Sequence, residues 1–197
     1  MMPDDRSSPD AIAVAMRVGA AIEETGGRYF VGGSLASSLQ GEPRATNDID
    51  MVVDLPIGRT PDLVAALGAD FEVDEDALRG ALAQTRSCNI FYLPVVMKVD
   101  LFCVGASPFD VSEFDRRRRL LVRPPDGTLV VKSPEDTVLR KLLWYLDGGS
   151  VSDRQWRDVV EVLRVSAAEL DRAYLAAWAK RLDLSELLER AVTESAT

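Results

Sequence analysis

The chain has 197 residues, enough for about one to one and a half domains, and 47% hydrophobic with 28% charged residues is a globular composition. The absence of histidine and the presence of only two cysteines, Cys88 and Cys103, exclude histidine-dependent nucleophiles, His-ligated zinc and four-thiolate metal sites. Any metal site must therefore rest mainly on oxygen ligands, which favours magnesium, manganese or calcium. With 23 basic and 32 acidic residues the net charge is −9, which argues against a generic nucleic-acid binder and leaves only a local basic patch open.

The first predicted element is a helix over residues 8–24, ended by Gly26 and Gly27. Its apolar stretch is interrupted by Arg17 and follows no basic leader, which is typical of an amphipathic helix and not of a signal peptide. No segment approaches the roughly 18 apolar residues of a membrane span. Because the two cysteines have no evident disulfide role, we expect a cytoplasmic protein with no membrane association.

The following part of the chain, up to residue 132, mixes strands and helices. Runs of β-branched and aromatic residues predict strands at 29–31, 49–55, 89–93, 97–104 and 129–131, the third and fourth paired with each other. Helical patterns occur at 35–39, 60–67 and 75–83. The segment 109–123 fits neither pattern clearly.

The chain becomes helical from Ser133. Ser133 is a predicted N-cap, Pro134 suits the first helical position, and acidic residues follow. Helices are predicted to about residue 146 and over 153–165, 169–180 and 185–192, and the three tryptophans, Trp144, Trp156 and Trp178, occupy core-like positions. The expected fold class is α+β: a small mixed β-sheet core flanked by helices over residues 1–132, followed by a C-terminal helical bundle over 133–197.

The most informative motif is Asp48-Ile49-Asp50. Side chains at positions i and i+2 of a strand share one face, so Asp48 and Asp50 are predicted to lie side by side. Two such carboxylates repel each other unless a cation lies between them, and a divalent metal is the usual one. By itself the Asp48/Asp50 pair is weak evidence for a metal site, because Asp74 and Asp76 form a second Asp-x-Asp pair, which we interpret as a chance occurrence.

Three neighbouring features strengthen the metal hypothesis. Gly32-Gly33-Ser34 joins a predicted strand to a helix, where backbone N–H groups favour a phosphate, although a plain turn with a serine cap is the alternative. Arg44 and Thr46 precede Asp48, and the arginine is either a phosphate ligand or a solvated loop residue. A later strand carries Asp100 among apolar residues, with Lys98 on the same face. A buried aspartate needs a partner, which is a metal or a salt bridge.

Taken together, Gly-Gly-Ser, Arg-x-Thr-x-Asp-Ile-Asp and the later Asp100 resemble the polymerase-β-type nucleotidyltransferase superfamily. The helical segments that begin at Ser133 and Arg154 resemble bacterial AbiEii-type toxins and related small nucleotidyltransferases. The resemblance covers about residues 29–165 and implies a nucleotidyltransferase core in the first 132 residues.

This resemblance implies a mechanism. Asp48, Asp50 and Asp100 would hold Mg²⁺ (or Mn²⁺), and Asp100 would also help to deprotonate the acceptor hydroxyl. The nucleoside triphosphate would be held at positions in and around the glycine turn, with its β- and γ-phosphates on Gly33 and Ser34; the proposed binding residues are Gly32, Gly33, Ser34, Arg44, Thr46 and Lys98.

A lysine and an aspartate of the helical part also serve the site in AbiEii-type proteins, and Lys141 and Asp158 are the matching positions. The alternative for Lys141 is a solvated helix cation. The alternative for Asp158 is a surface ion pair with Arg154, four residues earlier.

The dense basic run Arg116–Arg119 is either a solvated face or a positively charged surface that binds an RNA acceptor. The leading hypothesis is a metal-dependent nucleotidyltransferase that acts on tRNA or another macromolecule as the toxin of a toxin–antitoxin pair, with an antitoxin protein as partner. The alternatives are a small-molecule transferase of the aminoglycoside or lincosamide resistance kind and an inactive nucleotide- or partner-binding module.

Overall fold

The computed structural model of the protein describes residues 10–46 and 48–196. Over these ranges the chain forms one seven-stranded sheet and nine α-helices. The strands are β1 (Arg28–Val31), β2 (Asp48–Asp54), β3 (Phe71–Glu72), β4 (Ser87–Tyr92), β5 (Met97–Cys103), β6 (Arg118–Arg123) and β7 (Gly127–Val131). The helices are α1 (Ala11–Glu24), α2 (Gly33–Gln40), α3 (Thr60–Leu67), α4 (Glu75–Gln84), α5 (Pro108–Asp115), α6 (Pro134–Asp147), α7 (Asp153–Val165), α8 (Arg172–Arg181) and α9 (Ser185–Ser195). The predicted mixed-sheet core followed by a helical bundle is confirmed.

The strand order of the sheet is β3-β4-β5-β2-β1-β7-β6. Its centre is mixed: β2 runs parallel to β5 and antiparallel to β1, and β1 runs parallel to β7. Because β1 ends where β2 begins, the Gly32-Gly33 turn and Asp48-Ile49-Asp50 lie at the same end of the sheet. The strand order alone therefore brings together two of the sequence motifs.

The two faces of β2 differ in chemistry. Ile49, Met51 and Val53 are buried on one face, while the aspartates alternate with them on the other. The apolar face is covered by α1, whose Val14, Val18 and Ile22 are fully buried in the same cluster. The alternation in β2 thus determines which face of the sheet packs in the core. The aspartate face is left free of α1 and faces the later part of the chain.

A second apolar cluster forms among α6, α7, α8 and α9, with Trp156 and Trp178 in it. Phe109 of α5 also packs there, although it precedes residue 133. The domain division at residue 132 stays a prediction.

Some elements differ from the sequence expectation. The unassigned segment 109–123 contains β6 and all of α5 except its first residue, and the short strand β3 was not predicted. Residues 8 and 9, the predicted start of the first helix, lie outside the described ranges. The expectation that Trp144 packs in the core is wrong: 42% of it is exposed, because its face of α6 borders a cleft and not the bundle interior. Among the described residues, every helix is too short or too polar to cross a bilayer.

Candidate active site

Three aspartates share the sheet face that α1 does not cover. In the parallel β2–β5 pair, Asp50 lies directly opposite Asp100, and Asp48 lies opposite Lys98. Burial raises the pKa of Asp50, and the charges of Asp48 and Asp100 raise it further. Asp48 and Asp50 lie on one strand face, as predicted, and the structure places Asp100 on the same face of the sheet.

Asp100 has a salt-bridge partner. Lys98 Nζ lies 2.7 Å from Asp100 Oδ2, so Lys98 contacts a carboxylate of the site directly. Thr46 Oγ1 donates a hydrogen bond of 2.8 Å to Asp48 Oδ1, which fixes the first aspartate at the start of β2. Over the described ranges, no three Asp, Glu or Cys side chains already converge into a metal-binding group. The three carboxylates lie on one face of the sheet and supply oxygen donors of the kind that magnesium takes, and one of them, Asp100, is held by Lys98.

The glycine turn touches the aspartates. Gly33 has a φ of +54°, and a Cβ on it would lie 1.7 Å from Asp50 Oδ2. The N–H of Gly32 donates to the Asp50 carbonyl oxygen at 2.8 Å. Only glycine permits both this backbone conformation and this approach at position 33. The start of α2, with its free N–H groups, therefore lies directly beside the Asp50 carboxylate.

Five polar and charged residues connected by hydrogen bonds lie around Ser34, and we call them the Ser34 cluster. Its members come from α2, the following loop and the helical part: Ser34, Arg44, Lys141, Arg154 and Asp158. Arg44 Nη2 donates to Ser34 Oγ at 2.8 Å, and Arg154 Nη2 donates to the same oxygen at 2.9 Å.

Asp158 is the carboxylate of this cluster. It accepts hydrogen bonds from Arg44 Nη2 at 2.9 Å and from Lys141 Nζ at 2.8 Å, and only 8% of it is exposed. Burial raises the pKa of Asp158, but the bonds from Arg44 and Lys141 outweigh it and hold that pKa below its usual value. The solvated-cation alternative for Lys141 and the surface pair of Asp158 with Arg154 are both wrong, because α6 and α7 pack on α2 and enclose these side chains.

A cleft of about 280 Å³ extends from Gly33 and Asp50 across the sheet face. Phe30, Val52, Phe102 and Trp144 are among the residues that line it. A buried ionic group also lines the cleft: Glu113 accepts from Lys132 Nζ at 2.9 Å and from Arg140 Nη2 at 2.7 Å. Lys132 Nζ lies 5.7 Å from the centre of the Trp144 ring.

The sequence did not point to Lys132, Glu113 or Arg140, nor to the bond from Arg154 to Ser34. Lys132 follows β7 directly, and its Cε lies 3.4 Å from where a Gly32 Cβ would be. A lysine after the apolar run 129–131 was visible in the sequence, but the parallel pairing that brings it to the glycine turn was not.

The arginine run is largely paired with acids. Arg116 contacts Glu135, Arg118 contacts Glu169, and Arg119 contacts Glu23. Arg117 lies over the Phe114 ring. The run is therefore locally neutralised on an edge of the sheet.

The fold of the chain is similar to those of two solved structures. The chain is similar to the crystal structure of an antigenic nucleotidyltransferase-like protein from Paracoccidioides brasiliensis, with 18% identity and a TM-score of 0.59 over 95% of this chain and 94% of that one. It is also similar to the solution structure of the antibiotic-resistance factor ANT(2'')-Ia, with 13% identity and a TM-score of 0.52 over 91% of this chain and 96% of that one. No protein-family model and no curated protein sequence matches the chain.

Proposed function

We propose that the protein is a metal-dependent nucleotidyltransferase that moves a nucleoside monophosphate from a nucleoside triphosphate to an acceptor hydroxyl. The observation that carries this proposal is the position of Asp50, which faces Asp100 across the β2–β5 pair and touches the Gly33 turn. A triphosphate on that turn would have its α-phosphate next to the carboxylates.

The residues divide the work between binding and chemistry. Asp48, Asp50 and Asp100 would hold Mg²⁺ or Mn²⁺, which when bound neutralises their charge and acts as a Lewis acid toward the triphosphate. Gly33 and Ser34 bind the β- and γ-phosphates through N–H and hydroxyl groups. Asp100 accepts the proton of the acceptor hydroxyl, whose oxygen bonds to the α-phosphorus while the bond to the β-phosphate oxygen breaks and pyrophosphate leaves.

For the acceptor, the structure favours a small molecule over RNA. The cleft beside Asp50 is about 280 Å³, just below the roughly 300–1,000 Å³ of small-molecule sites. Three aromatic and five charged side chains are among its lining, whereas three of the four arginines suggested for RNA are paired with Glu135, Glu169 and Glu23. The macromolecular acceptor and the antitoxin partner gain no such support, and they remain the second candidate.

Label transfer tests the proposal. The protein is incubated with magnesium and each α-labelled triphosphate, with total RNA, a protein extract or a panel of small hydroxyl compounds as acceptor, beside Asp50→Asn. Asp54→Asn, on the same strand face and paired with Arg28, is the matched control. We expect label on a small molecule, lost in Asp50→Asn and kept in Asp54→Asn. Label on RNA or protein would reject the small-molecule acceptor in favour of a macromolecular one. No label with any acceptor would favour the inactive nucleotide- or partner-binding module.

A further inference from the structure

The Ser34 cluster contains more cations than its structural bonds require. Arg44 donates to both oxygens of Asp158, and Lys141 donates to one of them, Oδ2. Arg154, the third cation, has no carboxylate partner: among the described residues, its one hydrogen bond is to Ser34 Oγ. The cluster therefore holds three cations and one carboxylate.

Two guanidinium groups converge on one hydroxyl oxygen. Arg44 and Arg154 donate to Ser34 Oγ at 2.8 and 2.9 Å, so the two like charges lie close together. A serine oxygen offers two acceptor positions, and these two donors fill both. Each guanidinium has five N–H donors, and Arg154 uses one of them here. An anion bound beside Ser34 would relieve the repulsion and use the remaining donors.

The two arginines come from distant parts of the chain. Arg44 follows α2, whereas Arg154 is in the first turn of α7, 120 residues away from Ser34 along the chain. Ser34 is itself in the first turn of α2, whose N–H groups are directed to the same place. An anion bound beside Ser34 would therefore have the glycine turn and Arg154 of α7 as neighbours.

We propose that the terminal phosphate of the nucleoside triphosphate is bound between Arg44 and Arg154, and that Arg154 makes the site selective for triphosphates over diphosphates. This inference rests on the proposed function, because it takes the polyphosphate to lie on the Gly33-Ser34 turn. Arg154 is a positioning residue: it binds the far end of the phosphate chain and thereby sets the place of the α-phosphate.

The test measures binding of inorganic tripolyphosphate and pyrophosphate to the full chain by calorimetry. Magnesium is left out, so that binding does not depend on the three aspartates and an inactive enzyme can still be scored. The variants are Arg154→Gln and Arg154→Lys. Arg157→Gln is the matched control, since Arg157 is exposed on the same helix and has no hydrogen bond or ion pair within the described ranges.

We expect the wild type to bind tripolyphosphate about tenfold more tightly than pyrophosphate, because the third phosphate adds charged hydrogen bonds. Arg154→Gln should lose this preference while its affinity for pyrophosphate changes less than about threefold, Arg154→Lys should keep part of it, and Arg157→Gln should behave as the wild type. Equal loss of both ligands in Arg154→Gln would show a merely structural bond between α7 and α2 and would overturn the proposal. So would a wild type with no preference. Selective binding without label transfer would retain the anion site and reject the enzyme.

Discussion

Gly33 and Asp50 approach each other so closely that a single methyl group between them would collide with the Asp50 carboxylate. A Cβ added to Gly33 would lie 1.7 Å from Asp50 Oδ2, and the φ of Gly33 is +54°. Two features therefore require glycine at position 33: its positive φ and the Asp50 side chain of the neighbouring strand β2.

Gly33→Ala should lose transfer by about a hundredfold or more, because the Asp50 carboxylate must turn away from its position. It should also lose more stability than the ~1–2 kcal/mol that a positive φ costs an alanine. Gly26→Ala is the control: Gly26 has a φ of +79° but no neighbouring atom within 4 Å. Transfer rates and urea unfolding of both variants check this, and equal behaviour of the two would contradict it.

Asp50→Asn should separate stability from activity. Removing one charge from the Asp48, Asp50 and Asp100 group should raise the melting temperature without divalent cations by about 2–4 °C, the effect of ~1 kcal/mol in a chain of this size. Transfer should fall on the order of a thousandfold or more. Magnesium should stabilise the wild type and not this variant. Scanning calorimetry with and without magnesium measures it, and a destabilised variant that still gains from magnesium would refute it.

Asp158→Ala should destabilise the protein by about 3–5 kcal/mol, because it leaves the buried Lys141 without its charged partner and with only the Gln155 amide oxygen as acceptor. Lys141 is only 2% exposed. The control is Asp153→Ala, an exposed acid in the first turn of the same helix, which should cost at most about 1 kcal/mol. Urea denaturation gives both values; similar small losses would mean that Lys141 reaches water easily.

Glu113 should make stability depend on pH in the acid range. Burial raises the pKa of Glu113, but the charges of Lys132 and Arg140 outweigh it and bring that pKa below its ordinary value. The stabilisation is therefore complete above the unfolded-state pKa of about 4.3 and is lost as the pH falls through the lower folded-state pKa.

Glu113→Gln should be less stable than the wild type at pH 7, and the gap should close as the pH falls below about 4. The exposed Glu186→Gln in the first turn of α9 should show little difference at either pH. Urea unfolding across this range is the measurement. A gap that widens in acid would show the opposite sign.

Trp144 should report on the cleft. It is 42% exposed, whereas Trp156 and Trp178 are 8% and 9% exposed. Acrylamide should quench mainly Trp144, so Trp144→Phe should remove most of the quenchable fluorescence while Trp178→Phe keeps it. Quenching that is unchanged in Trp144→Phe would place this side chain in the protein interior.

The local features of the fold were predictable because they depend on near neighbours in sequence. The alternation in β2, the cap at Ser133 and the bounds of α3 and α7 all follow from short patterns. Even α5 carried such a pattern: Ser107-Pro108-Phe109-Asp110 repeats the signal of Ser133-Pro134-Glu135-Asp136, and Ser107 and Asp110 form a capping box.

The environment of the site could not be predicted in the same way. The burial of Lys141 and Asp158, the exposure of Trp144 and the bond from Arg154 to Ser34 all depend on how α6 and α7 pack over α2 and the sheet. A helical pattern identifies one apolar stripe. It does not tell which polar residues beside that stripe another element will cover.

The position of the arginine run has a consequence for how copies of this chain meet. β6 is an outermost strand of the sheet, and it carries Arg118, Arg119 and Arg123. The other outermost strand, β3, is only two residues long. A long edge strand with small apolar side chains would allow a strand from a second molecule to continue the sheet. On β6, large arginine side chains held in ion pairs with Glu169, Glu23 and Asp10 discourage such pairing, and β3 is too short for it. Arg118 and Arg119, two members of the run suggested for RNA, thus help to keep a second chain from extending the sheet.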